Sequence, residues 1–265
     1  MWKDDIMTPG SVAIITGVSG GIGRAILKAF HPRFERIFTA SRRDIAEFWD
    51  GKYPSNTSHV PGDLTIESNV QRLFDRAIEK MGHVDLVVNC VGGSLVSGTI
   101  KEFNMEDVDR VLAVNLRSAF MITKHALKHM EDGVKQDIQD SGNIVHFVSS
   151  SAKKISHGKA PYGIAKAALA HLIHYAAFEA AESNVNVNGI SPTYVFTARH
   201  ERSIRKKMNE RNTGRGEVVE RITSSQLLRK ELQPEDLLEV TWLLATTRVI
   251  TGQIYNCTLG EINSY

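Results

Sequence analysis

Apolar and polar positions along this chain alternate in blocks. Short, mainly apolar runs recur at Val12–Thr16, Arg36–Ala40, Ser58–Gly62, Val84–Cys90, Asn143–Val148, Asn184–Ile190 and Gln253–Thr258. The first, fourth and fifth show little residue-by-residue alternation, as expected of strands covered by helices on both faces of a parallel sheet. Between the runs, helical spacing dominates over Ile22–Phe30, Glu67–Lys80, Met105–Met130, Tyr162–Glu182 and Pro234–Ala245. Strands and helices that take turns imply right-handed crossovers. The pattern therefore predicts an α/β fold: a doubly wound parallel sheet of about seven strands, with helices on both faces. No linker, repeat or low-complexity tract breaks the pattern, so one domain spanning residues 1–265 is expected.

Two segments depart from this regularity. Glu131–Gly142 is a polar connector, expected as a surface loop. Thr193–Ser225 is longer and carries Arg199, Arg202, Arg205, Lys206, Lys207, Arg211 and Arg215. It follows the sixth strand, on the side where open α/β sheets bind ligands, and long inserts there often serve as lids. A solvated amphipathic helix accounts for the same charges.

Composition narrows the partners. A net charge of +2 over 265 residues is too small to argue for nucleic acid or an anionic membrane. No apolar stretch approaches the roughly 20 residues needed to cross a bilayer. Met1–Asp5 contains acids and no apolar core, so no signal peptide is expected. Cys90 and Cys257 sit in apolar stretches and form no metal-type pair, which suits reduced thiols in a cytoplasmic protein. His125 and His129 lie four apart but lack the acid of H-E-x-x-H and a third ligand. They and His171 and His174 are read as helix-surface or interface residues, and no metal is expected.

Two motifs carry chemistry. Thr16-Gly17-Val18-Ser19-Gly20-Gly21-Ile22-Gly23-Arg24 lies between the first strand and the first helix. Glycines there permit a tight turn and close approach of backbone to a pyrophosphate, held by the amides at the helix start. The second motif is Tyr162-Gly163-Ile164-Ala165-Lys166, with Ser149 thirteen residues upstream at the end of an apolar run. One helical turn sets the Lys166 ammonium beside the Tyr162 phenol, and a nearby cation is expected to lower the tyrosine pKa toward working pH. Ser150 and Ser151 are neighbours that fit the serine position less well.

The spacing T-G-x-x-x-G-x-G resembles that of short-chain dehydrogenases/reductases, and the resemblance runs from Val12 to about Gly260. It implies that Gly17, Ser19, Gly21, Ile22 and Gly23 cradle a dinucleotide and that Asp63, followed by Leu64, contacts its adenine. Asn89-Cys90-Val91-Gly92 is similar to the family's N-N-A-G along the cofactor, with Asn89, Val91 and Gly92 as contacts. Pro192 and Thr197 resemble P-G-x-x-x-T, whose threonine holds the nicotinamide carboxamide. Asn115, Ser149, Tyr162 and Lys166 match the catalytic tetrad. Cys90, Val91 and Thr193 depart from the family's residues in the cofactor groove.

The second strand ends Thr39-Ala40-Ser41-Arg42-Arg43, with no acid until Asp44. A guanidinium suits a ribose 2′-phosphate and Ser41 could add a hydrogen bond, so NADP(H) is favoured over NAD(H). Two merely solvated arginines remain the alternative, because Gly20 stands where a second basic residue is usual.

The resemblance implies hydride transfer between the nicotinamide and a ketone or secondary alcohol. Tyr162 then acts as acid or base, Ser149 stabilises the oxygen, Lys166 tunes the tyrosine and grips the ribose, and Asn115 holds a relay water. A silent dinucleotide-binding sensor or scaffold of the same fold is the alternative; an enoyl reductase or epimerase fits the tyrosine–lysine spacing less well. The helix from Tyr162 is apolar around more than one face, which implies a partner subunit or a helix buried entirely within one subunit; the family resemblance implies a homodimer or homotetramer.

Overall fold

In a computed structural model of the chain, described over residues 10–48 and 54–262, the sheet is entirely parallel. Met1–Asp5, the basis for expecting no signal peptide, lies outside the described residues. The strands are β1 (Val12–Thr16), β2 (Arg36–Ser41), β3 (Thr57–Pro61), β4 (Leu86–Asn89), β5 (Gly142–Phe147), β6 (Val185–Pro192) and β7 (Ile254–Cys257). Their order is β3-β2-β1-β4-β5-β6-β7, so the chain reverses its direction of winding between β1 and β4. In such sheets the crevice beyond the carboxyl ends of the strands at the reversal is the ligand position.

Alternate strand residues serve opposite faces. Val12, Ile14, Val87, Ile144 and Val187 pack against α2 (Glu67–Met81), α4 (Ser118–Lys135) and α5 (Ala160–Glu179) through Phe74, Ile122, Leu169 and Ile173. Ala13, Ile15, Ile37, Val88 and Val145 face α1 (Gly21–Phe30) and α8 (Leu238–Thr246) through Ile26, Leu27, Phe30 and Trp242. The Phe30 and Trp242 rings meet edge to face at 5.1 Å, with the Arg33 guanidinium 4.5 Å above the indole centroid. Truncating a fully buried phenylalanine such as Phe38 or Phe74 costs about 3–5 kcal/mol, so these two layers set the stability of the sheet.

Three elements differ from expectation. The helix expected over Met105–Met130 is α3 (Met105–Leu112), a π-helical turn over Ala113–Arg117, and α4. The Glu131–Gly142 connector is only partly a loop: α4 runs on to Lys135, and the buried Gln139 amide donates to the Val84 and Ser141 carbonyls. A polar segment with satisfied amides can be anchored as firmly as an apolar one. His125 is buried rather than exposed; its ring and that of His129 stack on Phe74 at 5.9 and 5.8 Å.

The basic insert folds as α6 (Ala198–Arg211) and α7 (Arg215–Thr223) around a small core of Phe196, Ile204 and Val218. Arg215 clamps it, donating to Glu201 at 2.6 Å and to Glu231 at 2.7 Å. Among the described residues no helix is long and apolar enough to cross a membrane.

Candidate active site

The site is built where β1 and β4 run side by side. Gly17 has φ +70°, and a methyl group on it would lie 2.6 Å from the Cys90 carbonyl carbon. A methyl on Gly23 would lie 2.6 Å from the Gly17 oxygen. The Gly17–Gly23 turn thus closes only without side chains, and it delivers the first turn of α1, with its free amides, to the crevice. Gly21 packs on Thr197, where a methyl would lie 2.6 Å from Thr197 Cγ2. That contact brings the insert's first residues over the turn.

Strand register places Thr16 beside Asn89 and Asn89 beside His146. Their side chains form one buried row. Thr16 Oγ1 donates to Asn89 Oδ1 at 2.8 Å, and Asn89 Nδ2 faces His146 Nδ1 at 3.1 Å. His146 Nε2 lies 3.0 Å from Thr123 Oγ1, whose proton goes to the Ala119 carbonyl at 2.8 Å. Thr123 therefore accepts, His146 carries its proton on Nε2, and Nδ1 accepts from Asn89. Burial pushes His146 down to about 3, so the ring is neutral and every member of the row is satisfied. Asn89 Oδ1 also accepts from the Val91 amide at 3.1 Å, which sets the course of the chain from β4 into Gly92.

Asn115 sits at the centre of the π-helical turn, fully buried. Its Oδ1 accepts from the Gly93 amide at 2.9 Å, and its Nδ2 donates to the Gly93 and Val111 carbonyls at 3.0 and 2.9 Å. A methyl on Gly92 would lie 2.8 Å from Asn115 Oδ1 and 3.0 Å from Lys166 Nζ. The bare Gly92 Cα thus leaves room for both side chains to approach it.

Tyr162 and Lys166 occupy the first two turns of α5, a helix opened by Pro161. Of the neighbouring serines, Ser149 is the one whose hydroxyl acts on the Tyr162 phenol, favouring its ionised form. Ser149 Oγ also accepts from the Ser151 amide, which caps the short turn after β5. Ser151 instead pairs with Ser156 at 2.9 Å, so among the three serines it is Ser149 that meets the phenol.

Lys166 overturns one expectation. Its ammonium lies 5.9 Å from the Tyr162 ring centroid and donates to the Phe147 carbonyl at 2.7 Å. It is 3% exposed, and burial lowers it to about 8. Tyr162 is raised by its enclosure rather than lowered by Lys166; the Ser149 hydrogen bond and the Arg199 charge act in the opposite direction. The nearer carbonyl at the end of β5 outcompetes the phenol for the ammonium, and a helical pitch argument does not see that acceptor.

The remaining predicted residues divide. Asp63 Oδ1 accepts from the Thr65 amide at 3.0 Å and its hydroxyl at 2.9 Å, fixing the turn after β3, where Leu64 is buried. Ser41 is buried and its hydroxyl donates to the Arg43 carbonyl at 2.6 Å, so the proton expected for a phosphate is already engaged. Arg42 is exposed beyond β2. Arg43 Nη2 reaches the Ser19 carbonyl at 3.4 Å and brings a guanidinium to the glycine turn, the place left vacant by Gly20. Pro192 ends β6 and is buried; Thr197 precedes α6, with Oγ1 3.0 Å from His200 Nδ1.

Thr193, at the position where glycine is usual, donates to Glu261 Oε2 at 2.6 Å. Glu261 Oε1 takes Lys154 at 2.5 Å and Ser225 at 2.7 Å. Burial opposes the charge, but these three donors hold the carboxyl below its usual range. Neither this anchor nor Arg43, Arg199 and His146 emerges from motif spacing. His146 leaves one trace in the sequence: a polar residue inside an otherwise apolar run. Among the described residues, no group of three or more His, Cys, Asp or Glu is placed to hold a metal.

Comparison with known proteins locates this arrangement. The family model described as short chain dehydrogenase matches residues 11–209. The chain is 29% identical over 199 residues to the NADPH-dependent aldehyde reductase 1, chloroplastic, of Arabidopsis thaliana. That match covers 71% of this chain and 66% of the plant protein, just under two thirds of its length. It is 29% identical over 240 residues to the D-beta-hydroxybutyrate dehydrogenase of Rhizobium meliloti strain 1021, covering 88% of this chain and 90% of that protein. The NADP-bound structure of ElxO superposes with a TM-score of 0.82 at 24% identity, covering 95% of this chain and 98% of that one.

The buried ammonium makes a prediction about stability. Lys166 titrates near 8 in the folded protein, below the ordinary 10.5, so the folded state binds fewer protons between those values and stability rises with pH across that window. Lys166→Met removes the buried charge and is expected to raise stability at pH 7 by about 1–3 kcal/mol, the gain shrinking as pH passes 8 and approaches 10.5. Urea unfolding of both proteins from pH 6 to 10.5 is the measurement; a wild type more stable than the variant at pH 7 overturns the assignment.

Proposed function

Because the chain belongs to the short-chain dehydrogenase/reductase family of NAD(P)-dependent oxidoreductases, we propose that it transfers hydride between NADP(H) and a ketone or secondary alcohol, with Tyr162 as acid and base. The observation that carries the reading is Ser149 set to act on the enclosed Tyr162 phenol, at the crevice beside Gly92, which Lys166 and Asn115 both approach.

The residues fit a dinucleotide. The cradle at Gly17 and Gly23 is space that a Cβ would fill, and it opens on the start of α1. Gly17, Ser19, Gly21, Ile22 and Gly23 would hold the pyrophosphate, Asp63 and Leu64 the adenine, and Asn89, Val91 and Gly92 the groove floor. Lys166 and Tyr162 would hold the nicotinamide ribose, and Pro192 and Thr197 the carboxamide. Arg42 and Arg43 would meet a ribose 2′-phosphate, Arg43 replacing the basic residue the glycine turn lacks. When bound, the nicotinamide supplies or accepts the hydride.

The protein's part is proton movement and electrostatics. The enclosed phenol keeps its proton at neutral pH, as a donor to a carbonyl oxygen must. Ser149, whose hydroxyl acts on that phenol, stabilises charge growing on the same oxygen. Lys166 offers a nearby proton of lower pKa, and Asn115 fixes the backbone at Gly93 that walls the path. Thr193–Ser225 closes over the site as a lid, seated on Gly21 through Thr197.

We also propose a homodimer or homotetramer built on α4 and α5. Phe120, Ile164, Tyr175 and Phe178 are large apolar residues exposed on these helices, and Phe120 borders a groove with Leu112, Leu116 and Met121. Two free cysteines support a cytoplasmic setting.

Three outcomes test these readings. Tyr162→Phe is expected to lower kcat about 10²–10⁴-fold on every ketone the wild type reduces, followed by NADPH absorbance; equal rates would remove Tyr162 from the chemistry. Arg42→Ala and Arg43→Ala should each raise KM for NADPH about tenfold while leaving KM for NADH nearly unchanged, and parallel changes would reject the 2′-phosphate assignment. For the assembly, Phe178→Lys should shift the light-scattering mass toward the monomer; a monomeric wild type would sink the proposal.

A further inference from the structure

The cations of the basic insert fall into two sets. One set is neutralised or solvated: Arg215 pairs with Glu201 and Glu231, Arg221 with Glu217 and Lys206 with Glu210, while Arg202, Arg205 and Arg211 are exposed. The second set is Arg199 and Lys207 on α6 and Lys159 at the start of α5. No carboxylate pairs with any of these three among the described residues. Lys159 and Lys207 are half-buried, where an uncompensated charge is costly.

Geometry carries Arg199 and Lys159 to the two ends of one loop, and the charge of Lys207, further along α6, acts on Lys159 and His200. Arg199 Nη2 donates to the Ser94 carbonyl at 3.1 Å, and a methyl on Gly93 would lie 2.7 Å from its Nη1. Gly93 is the residue that Asn115 holds from the other side. The same loop continues to Gly98, whose amide donates to the Gly158 carbonyl at 3.1 Å, immediately before Lys159. Lys159 is the cap residue immediately before α5, three residues before Tyr162. The ionisation of neighbouring groups agrees with this convergence. Burial lowers Lys159, and Lys207 and Arg199 lower it further. His200 is pushed down to about 4 by burial, with Arg199, Lys159 and Lys207 all acting on it in that direction. The imidazole is therefore neutral and adds no fourth positive charge to the three cations.

We propose that Lys159, Arg199 and Lys207 form an anion subsite at the mouth of the Ser149–Tyr162 centre, and that the substrate is an oxo compound bearing a terminal oxyanion, carboxylate or phosphate, a few bonds from its carbonyl. This rests on the reading of Tyr162 and Ser149 as the carbonyl centre. With the subsite filled, the lid is held closed by its own ligand. The anion ties α6 to α5, and the carbonyl is then held at a set distance from the anion, against the Tyr162 hydroxyl.

Two measurements on the NADP⁺-loaded protein test the proposal, with the cofactor's own phosphate positions filled. Calorimetric titration with succinate and with inorganic phosphate at low ionic strength is expected to give one site, weakened at least tenfold in Lys159→Gln and in Lys207→Gln. The stronger of the two ligands identifies carboxylate or phosphate, and no binding of either overturns the subsite. In turnover with NADPH, 3-oxobutanoate and 4-oxopentanoate are compared with their methyl esters, and dihydroxyacetone phosphate with dihydroxyacetone. The wild type is expected to favour one charged series at least tenfold in kcat/KM, with that ratio falling toward one in Arg199→Gln and Lys159→Gln. A ratio near one in the wild type, or a ratio the variants leave intact, overturns the specificity. If neither charged nor neutral compounds are reduced while the titration still gives one site, the carbonyl reading fails and the anion subsite stands.

Discussion

The whole site depends on how closely β1 and β4 approach at the point where the sheet reverses its winding. Two strands some seventy residues apart in sequence lie in register there, and Gly17 rests on the Cys90 carbonyl at a distance no side chain permits. The same register sets Thr16, Asn89 and His146 in one buried row whose hydrogen bonds are all made. A partly satisfied row would cost several kcal/mol in so dry a place; a complete one fixes a single geometry. From Asn89 the constraint passes to Val91, Gly92 and Gly93, and so to Asn115 and Lys166. The site is thus a consequence of strand register at the carboxyl end of the sheet.

Charge is the second constraint. Lys166 is an ammonium held almost wholly out of water on one backbone carbonyl, which burdens stability at neutral pH. The hydrophobic layers around Phe38, Phe74 and Ile14 are large enough to absorb that cost. The phenol beside it is enclosed in the opposite sense, with its proton retained. Two groups of opposite tendency, one that yields its proton readily and one that keeps it, are the arrangement in which a proton is passed in order.

Much of this was legible in the amino-acid sequence, and the exceptions have physical causes. The runs located the seven described strands to within a few residues, most clearly β1, β4 and β5, which are buried throughout and so leave little polar ambiguity. The glycine turn was legible because few residue types survive there. The π-helical turn at Asn115 was not, since one inserted residue leaves an apolar helix pattern almost unchanged. The extension of α4 and the anchoring of Gln139 escaped because a buried polar residue with partners looks like a loop residue without them. Lys166 lies over the Tyr162 ring as spacing along α5 suggests, but its hydrogen bond goes to the Phe147 carbonyl, an acceptor on a different element that spacing does not reveal. Contacts between distant segments, such as Arg43 on Ser19, leave no periodic trace at all.

The basic insert follows from the same division between local and distant contacts. Lys206, Arg215 and Arg221 are paired along or between its own helices, so α6 and α7 hold together as a unit with a small apolar core. Its attachment to the rest of the protein is concentrated at the ends. Thr197 rests on Gly21 at one end, and Ser225 shares Glu261 with Lys154 and Thr193 at the other. Glu261 is 6% exposed at its side chain, and its three donors come from the loop after β5, the end of β6 and the end of the insert. A body that is stiff within and tethered at two points can tilt as a whole without unfolding. The Thr193 hydroxyl, where glycine is usual, makes the second tether a hydrogen bond to a charged group, which is stronger than a bare backbone turn. Between the tethers lies the face that carries Arg199 and Lys207, the face that the lid proposed above would bring toward Tyr162.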